Sequence, residues 1–205
     1  MSITQRKERE RRARIELIVR SASEMFATLG YHKTSMDLIA EKAELGKSTL
    51  YYYFPSKEKL LVSVLEEGLK QFFNSLENNL SEVSNPLKKI ETITLTSAEF
   101  FSKNKNFFNL YIYLSAHPTL RKIIYGKFQP IIAKKLGIIR EVLEEAQNKK
   151  YIKNLPLTDL TQTYGSLVMS MGIFLRPDTT KKQLEKRAKL INEIFLDGIK
   201  ISRGK

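Results

Sequence analysis

Apolar side chains recur at steps of three and four residues along almost all of this 205-residue chain, whereas alternating strand-like patterns are scarce. This spacing places the apolar side chains on one face of an α-helix. Gly and Pro residues interrupt the pattern at intervals that suit separate helices. The sequence therefore predicts an all-α protein. The expected helices cover about 11–29, 35–43, 47–54, 56–84, 87–102, 106–116, 119–149, 157–175 and 180–202.

Composition excludes several classes of protein. The chain has no Cys and only two His residues, so disulfides and Cys-based metal sites are excluded. It lacks a His-Glu-x-x-His pair and a Gly-rich phosphate loop, and we therefore expect no enzyme, no cofactor and no bound metal. No run of about 18 apolar residues is present to span a bilayer, and the charged start of the chain is unlike a signal peptide. We expect a cytoplasmic protein without a membrane partner.

The net charge of +13 suits a polyanionic partner, either nucleic acid or an anionic surface, although a basic solvated surface explains it about as well. Residues 1–60 hold 12 Lys or Arg against 8 Asp or Glu, and residues 61–205 hold 23 against 14. The charge therefore does not locate a site. The basic run Arg6–Arg14 has two interpretations that remain open. It is either an arm that follows DNA phosphates or the solvated start of the first helix.

Two short helices joined by a tight turn and backed by a longer helix form a helix-turn-helix unit. The predicted helices 35–43 and 47–54 stand in this relation, with 11–29 behind them. In such a unit the second short helix enters the major groove of DNA. Leu50 and Phe54 fall on one side of that helix and are expected to lie inward. We therefore predict a DNA-binding domain over residues 1–55.

The opposite side of the helix 47–54 carries hydroxyl groups, a cation and tyrosines. Ser48, Thr49 and Tyr52 are expected to face base edges, where hydroxyls can bond donors or acceptors. Lys47, Tyr51 and Lys57 are expected to reach flanking phosphates, while packing of Tyr51 or Tyr53 on neighbouring helices is the alternative. The start of the preceding helix, where Thr34 or Ser35 serves as N-cap, adds two candidates. The predicted DNA-contacting residues are Thr34, Ser35, Lys47, Ser48, Thr49, Tyr51, Tyr52, Tyr53 and Lys57.

Two segments, Thr34–Ala43 and Lys47–Glu58, closely resemble the signature of the TetR (tetracycline repressor) family, and Gly30-Tyr31 matches it as well. The resemblance covers about residues 11–65. It implies a homodimer that binds a near-palindromic operator on double-stranded DNA, usually as a repressor released by a small-molecule effector. It also places Lys47, Thr49, Tyr51, Tyr52 and Tyr53 at DNA-contacting positions and Lys57 at a phosphate-contacting one.

Three residues depart from the family pattern near the turn. Glu44 stands where the family usually has Gly, Gly46 replaces the usual N-cap Ser, and Ser48 replaces a Gly. A slightly altered turn is expected from the first two differences. Ser48 adds a side chain at the DNA groove, which bears on the base preference.

The remaining residues, 56–205, are expected to form a helical domain for dimerisation and ligand sensing. The last helix has an apolar arc of about 180°, wider than the ~100° stripe of a helix that is buried on one side. Two ordinary core helices are the alternative to a dimer interface there. The candidate interface residues are Tyr164, Val168, Met171, Leu184, Ala188, Ile191 and Phe195.

Aromatic side chains are frequent in the middle helices, where they can either line an apolar cavity or form ordinary core. The candidates for ligand binding are Phe72, Phe101, Phe108, Tyr111 and Tyr164. The sequence leaves open the identity of the effector, the operator sequence, the number of dimers per operator, and the choice between repression and activation.

Overall fold

The computed structural model describes residues 2–116, 137–176 and 178–201, together with positions 118, 122 and 133. No strand occurs among these residues, where the β structure is limited to an isolated bridge between Ile152 and Lys200. The prediction of an all-α fold is confirmed. The helices are α1 (Ile3–Leu29), α2 (Met36–Lys42), α3 (Lys47–Tyr53), α4 (Lys57–Leu80), α5 (Pro86–Lys103), α6 (Lys105–Ala116), α7 (137–148), α8 (Leu157–Ile173) and α9 (Lys181–Ile199).

Helix α1 begins at Ile3, about eight residues before its predicted start. Ser2 caps it, because its hydroxyl accepts from the amide of Gln5 (3.2 Å) while the Gln5 side chain accepts from the Ser2 amide (2.9 Å). This reciprocal arrangement is a capping box. Ion pairs four residues apart, Arg6–Glu10 and Glu8–Arg12, support the next two turns. The early start has no apolar periodicity, which is why the pattern of the sequence did not indicate it.

The other predicted helices agree with the structure to within a few residues. The predicted helix 119–149 is described only in part: residues 137–148 are helical, and most of the stretch before them lies outside the described residues. Asn85 caps α5 through the amides of Leu87 and Lys88, and Thr180 caps α9 in a capping box with Gln183. Among the described residues, no helix is long and apolar enough to cross a membrane.

The buried side chains form one continuous cluster that reaches from Ile18 in α1 to Ile199 in α9. Helix α1 packs against α2, α4 and α6, while α5 packs against α4, α8 and α9. The helix-turn-helix unit therefore shares its core with the rest of the chain.

Helix α6 lies unusually close to two other helices. A Cβ atom at Gly68 of α4 would stand 2.2 Å from the Phe107 ring, and one at Gly172 of α8 would stand 2.2 Å from the Phe108 ring. These distances are far inside van der Waals contact, so both positions require glycine. The two rings on α6 fix its position relative to α4 and α8.

Candidate nucleic-acid interface

The turn between α2 and α3 closes α2 with a Schellman motif. The amide of Leu45 donates to the carbonyl of Ala40 (2.9 Å), and that of Glu44 donates to the carbonyl of Glu41 (3.0 Å). This motif needs a left-handed residue after the helix, usually Gly. Glu44 takes that conformation, with φ of 54°. The turn therefore keeps the left-handed conformation that usually requires Gly, although the residue at this position is Glu44.

Helix α3 presents its polar side to solvent. Leu50 is fully buried and Phe54 is buried beside it, so the prediction that both lie inward is confirmed. Tyr52 is 79% exposed and Tyr51 is 47% exposed. Ser48 and Lys47 are exposed and Thr49 is half-buried. Tyr53 is half-buried, with its ring edge-on to the Tyr52 ring at 5.1 Å.

The start of α2 separates the two N-cap candidates. Ser35 is exposed and caps α2, since its hydroxyl accepts from the amide of Leu38 (3.2 Å). Thr34 is only 1% exposed, and its hydroxyl contacts the carbonyl oxygens of Gly30 (2.8 Å) and Met25 (3.1 Å). Its side chain is therefore used inside the helix-turn-helix unit. Ser35 is the one of the two that a duplex could reach.

Lys47 joins α3 to α2 through an ion pair. Its Nζ lies 2.6 Å from a carboxylate oxygen of Asp37. The hydrogen bond and the charge of Asp37 both raise the pKa of Lys47. Sequence reasoning did not pair these two residues, although the tight turn between two short helices brings their N-terminal ends together.

Lys57 fastens the start of α4 to the loop between α1 and α2. Its Nζ donates to the carbonyl oxygens of Tyr31 (2.9 Å) and Thr34 (2.8 Å), and it lies 4.4 Å from the centre of the Tyr31 ring. An ammonium group has three donors, so two are used here. Burial, together with the negative charge of Glu58, raises the pKa of Tyr31 to about 12.

Six predicted DNA-contacting side chains lie on the solvent side of α3 and the start of α2. We call this set the reading surface. It consists of Ser35, Lys47, Ser48, Thr49, Tyr51 and Tyr52. The remaining three candidates, Thr34, Tyr53 and Lys57, are buried or half-buried and contact other parts of the protein.

Four of the five predicted ligand-binding residues belong to one aromatic cluster. Phe72 of α4 contacts Phe101 of α5, Phe101 contacts Phe108 of α6 (4.6 Å between ring centres), and Phe108 contacts Tyr111. The fifth residue, Tyr164, makes hydrogen bonds to α5. Its hydroxyl donates to the carbonyl of Ile90 (2.6 Å) and is 2.7 Å from the hydroxyl of Thr94.

The predicted dimer residues on α8 and α9 face the interior of the subunit. Six of them are buried, and Ile191 is half-buried. Tyr164, for example, packs on Phe195 with 4.8 Å between ring centres. Other apolar side chains of the same region are exposed instead. These are Ile173, Phe174, Leu190 and Ile194.

Comparison with known proteins identifies this architecture. Residues 18–64, which hold the C-terminal part of α1 and all of α2 and α3, match the model of the bacterial regulatory proteins of the tetR family. The N-terminal helix-turn-helix unit is that of the TetR family. The resemblance in the sequence is thereby confirmed, and so is the N-terminal helix-turn-helix with a helical domain behind it.

Individual TetR-family relatives are distant. The fatty acid metabolism regulator protein of Bacillus subtilis is 29% identical over 85 residues, which are 42% of this chain and 44% of that protein. The chain thus matches less than half of that relative's length. The transcriptional repressor NicS of Pseudomonas putida is 23% identical over 193 residues, 89% of this chain and 91% of NicS.

Solved structures of the TetR family agree along most of the chain. A candidate fatty acid metabolism regulator of Clostridium perfringens is 27% identical, with a TM-score of 0.74, over 91% of this chain and all of that one (100%). FadR of Bacillus subtilis, solved in complex with stearoyl-CoA, has a TM-score of 0.77 over 90% of this chain and 98% of FadR. At 22% identity, the likeness to FadR shows the fold.

Proposed function

We propose that this protein is a sequence-specific DNA-binding transcriptional repressor of the TetR family that acts as a homodimer on a near-palindromic operator. The exposed side of α3 carries the proposal. Tyr52 projects into solvent at 79% exposure from a helix whose other side is anchored by buried Leu50. A large aromatic side chain that is so exposed on a short, fixed helix contributes little buried area to the fold, and the groove of a duplex is a surface that it fits.

The reading surface has the chemistry that base recognition requires. The hydroxyls of Ser48, Thr49 and Tyr52 can donate to or accept from base edges, and the methyl group of Thr49 can contact a thymine methyl. Ser35 suits a contact to phosphate, and so does Lys47 when it exchanges the Asp37 carboxylate for a phosphate oxygen; such contacts fix the register without reading sequence. These contacts are binding interactions that require no reaction, so we assign no catalytic step to the protein.

Selection of bound duplexes from a random DNA library tests this function. The wild-type protein is expected to enrich a palindrome at near-physiological salt. Tyr52→Ala should weaken binding to that palindrome by about 1–3 kcal/mol and change the preferred bases. Leu95→Ala removes an exposed apolar side chain of α5 outside the helix-turn-helix unit and is the matched control. Selection of no common sequence by the wild type would contradict the proposal.

The homodimer is proposed to form through the exposed apolar side of α8 and α9. Phe174 is 66% exposed and Ile194 is 61% exposed, and Ile173 and Leu190 are exposed near them in the sequence. Exposed apolar side chains of this size gain stability when a second subunit covers them. Ile194→Glu is expected to give monomers by light scattering, whereas Leu95→Glu should leave the dimer intact. A dimer that survives Ile194→Glu would place the interface elsewhere.

A small-molecule effector is proposed to release the DNA. We propose that residues 56–205 are the sensing domain, as the sequence predicts, and this domain contains the aromatic cluster of α4, α5 and α6. FadR of Bacillus subtilis was solved with stearoyl-CoA, and AibR with isovaleryl-CoA and operator DNA. Acyl-CoA thioesters are therefore the first class to test, by titration into the complex with the selected palindrome. An effector must bind the DNA-free arrangement more tightly than the DNA-bound one, so it should raise the apparent Kd for DNA.

A further inference from the structure

The N-terminal half of α1 carries the whole excess positive charge of the first 60 residues. Residues 1–14 hold six Lys or Arg against two Glu, whereas residues 15–60 hold six Lys or Arg and six Asp or Glu. The segment that contains α2, α3 and the reading surface is therefore neutral. This is unexpected for a DNA-binding unit, because attraction to phosphates supplies most of the non-specific part of DNA affinity.

Half of the cations in the neutral segment are also engaged within the protein. Lys47 pairs with Asp37 at 2.6 Å, and Lys42 pairs with Glu24 at 3.2 Å. Lys57 donates to two backbone carbonyls. These three lysines connect helices and loops of the helix-turn-helix unit, which leaves little free positive charge beside α3.

The N-terminal half of α1 has the opposite character. Residues 2–14 are all exposed. Its two glutamates are both used, Glu10 by Arg6 (2.9 Å) and Glu8 by Arg12 (3.2 Å). The four other cations have no carboxylate partner among the residues that the structure describes. They are Lys7, Arg9, Arg11 and Arg14.

Three of these four cations form a stripe along α1. At about 100° per residue, Lys7, Arg11 and Arg14 fall within a sector of about 60° that also contains Ile18, whereas Arg9 points to the opposite side. Ile18 is fully buried and belongs to the continuous core. We call Lys7, Arg11 and Arg14 the basic stripe. It extends for about 10 Å along the helix and continues the inward face of α1 beyond the point where packing ends.

We infer that the basic stripe is a second DNA-contacting element, which binds backbone phosphates of the duplex beside the bases that α3 reads. The inference rests on the proposed function and adds to it the source of the electrostatic attraction. Since α1 is one unbroken helix anchored by Ile18 and Ala22, the stripe is already ordered before binding, and little conformational entropy is lost on contact. Its contacts carry no sequence information, because phosphates are alike at every position.

The salt dependence of DNA binding tests the inference. We would measure the Kd for labelled duplexes by fluorescence anisotropy between 50 and 200 mM KCl, with the full-length protein. Replacing all three stripe residues by Gln, which keeps good helix propensity, removes three cations from each subunit of the proposed homodimer and should lower the slope of log K against log salt by about 5.4. Over that fourfold range of salt, the affinity of the variant for DNA should consequently fall about 1800-fold less than that of the wild type. The weakening should be equal for the selected palindrome and for random duplexes.

The chain supplies a matched control on α9. Lys182, Lys186 and Lys189 have the same spacing, are exposed, and have no carboxylate partner among the described residues. Their triple replacement by Gln makes the same change in charge and should leave the slope unchanged. Arg9→Gln should also leave it unchanged, because Arg9 lies on the other side of α1. Circular dichroism and light scattering would verify that all variants fold and assemble alike.

The possible results separate the inference from the proposed function. An unchanged slope in the stripe variant, on a palindrome that the wild type selects, would overturn the inference and leave the proposed function standing. A reduced slope on random duplexes, without any selected palindrome, would support the stripe as a phosphate-binding element and contradict sequence-specific reading. If the stripe variant lost sedimentation with anionic vesicles but kept its slope on DNA, the stripe would belong to a membrane contact and the inference would be wrong.

Discussion

Replacing Glu44 by Gly should stabilise the protein, because Glu44 holds the left-handed conformation that the turn after α2 requires. Its φ is 54°, and it is exposed. A side chain in this region costs about 1–2 kcal/mol relative to the right-handed region, and glycine avoids that penalty. Glycine also loses more entropy on folding, by about 0.5–1 kcal/mol. The net gain expected for Glu44→Gly is about 0.5–1 kcal/mol.

Urea unfolding followed by circular dichroism would measure this gain at equal protein concentration for all variants, since a dimer makes the midpoint depend on concentration. For a chain of this size, the gain corresponds to an increase in Tm of about 1–4 °C. Glu44→Ala provides one control, because it removes the carboxylate but retains a Cβ and therefore the strain. It should not stabilise the protein.

Lys150 provides the second control, since it occupies the same place after α7. Its φ is 57°, the amide of Tyr151 donates to the carbonyl of Ala146, and that of Lys150 donates to the carbonyl of Gln147. Lys150→Gly should therefore give a gain similar to that of Glu44→Gly. If Glu44→Gly were no more stable than Glu44→Ala, the left-handed backbone would not be the source of strain, and the reasoning would be refuted.

Three further predictions concern the core. Tyr31→Phe should make the free energy of unfolding less sensitive to alkali. The pKa of Tyr31 is about 12 in the folded protein against 10 in the unfolded chain, so the neutral phenol stabilises the fold fully below pH 10 and this contribution is lost between pH 10 and 12, by up to about 1.4 kcal/mol per pH unit. Equal urea midpoints for both proteins across that range would argue against it. Gly172→Ala should cost about 1–2 kcal/mol because its Cβ would overlap the buried Phe108 ring, while Gly165→Ala in the same helix, where nothing lies within 4 Å, should be neutral or stabilising. Tyr164→Phe should cost about 1–3 kcal/mol in urea unfolding, since the Ile90 carbonyl loses a donor in a fully buried site; a variant as stable as the wild type would show that this bond contributes nothing.

Sequence periodicity predicted the orientation of α3 because burial there depends on neighbours in the same short unit. Leu50 and Phe54 are the aliphatic and Phe side chains of that helix, and an amphipathic helix has one way to bury them. The apolar pattern placed the start of α1 too late, at about residue 11, for a related reason, although a solvated helical start over Arg6–Arg14 was one of the two interpretations of the sequence. Its first turns are held by a capping box and ion pairs rather than by apolar contacts, so there is no apolar pattern to detect.

Periodicity could not decide which apolar side of α8 and α9 faces the subunit and which faces solvent. Apolar side chains lie on more than one side of α9, and the answer depends on where α5 and α8 pack against it, which no local pattern specifies. Phe195 packs on Tyr164 inside the subunit, while Ile194, one residue earlier, is exposed. Thr34 and Ser35 illustrate the same limit at the scale of one residue. Either could have capped α2, and the carbonyls of Met25 and Gly30 decided which hydroxyl turned inward.

We propose that different residues supply the affinity of this protein for DNA and its sequence specificity: the basic stripe of α1 supplies much of the electrostatic affinity, and α3 supplies the specificity. In the helix-turn-helix unit, Lys42, Lys47 and Lys57 hold helices and loops together, so the reading surface relies on hydroxyls and aromatic rings. The free cations lie on the N-terminal half of α1, away from those side chains in the sequence. Since phosphate contacts add a term that is the same for every sequence, changes in the basic stripe should alter the salt slope and leave the ratio of specific to non-specific affinity constant. Changes in α3 should alter the ratio of specific to non-specific affinity and leave the salt slope constant. A single substitution that altered both the slope and the ratio would show that the basic stripe and α3 are coupled through the position of α1.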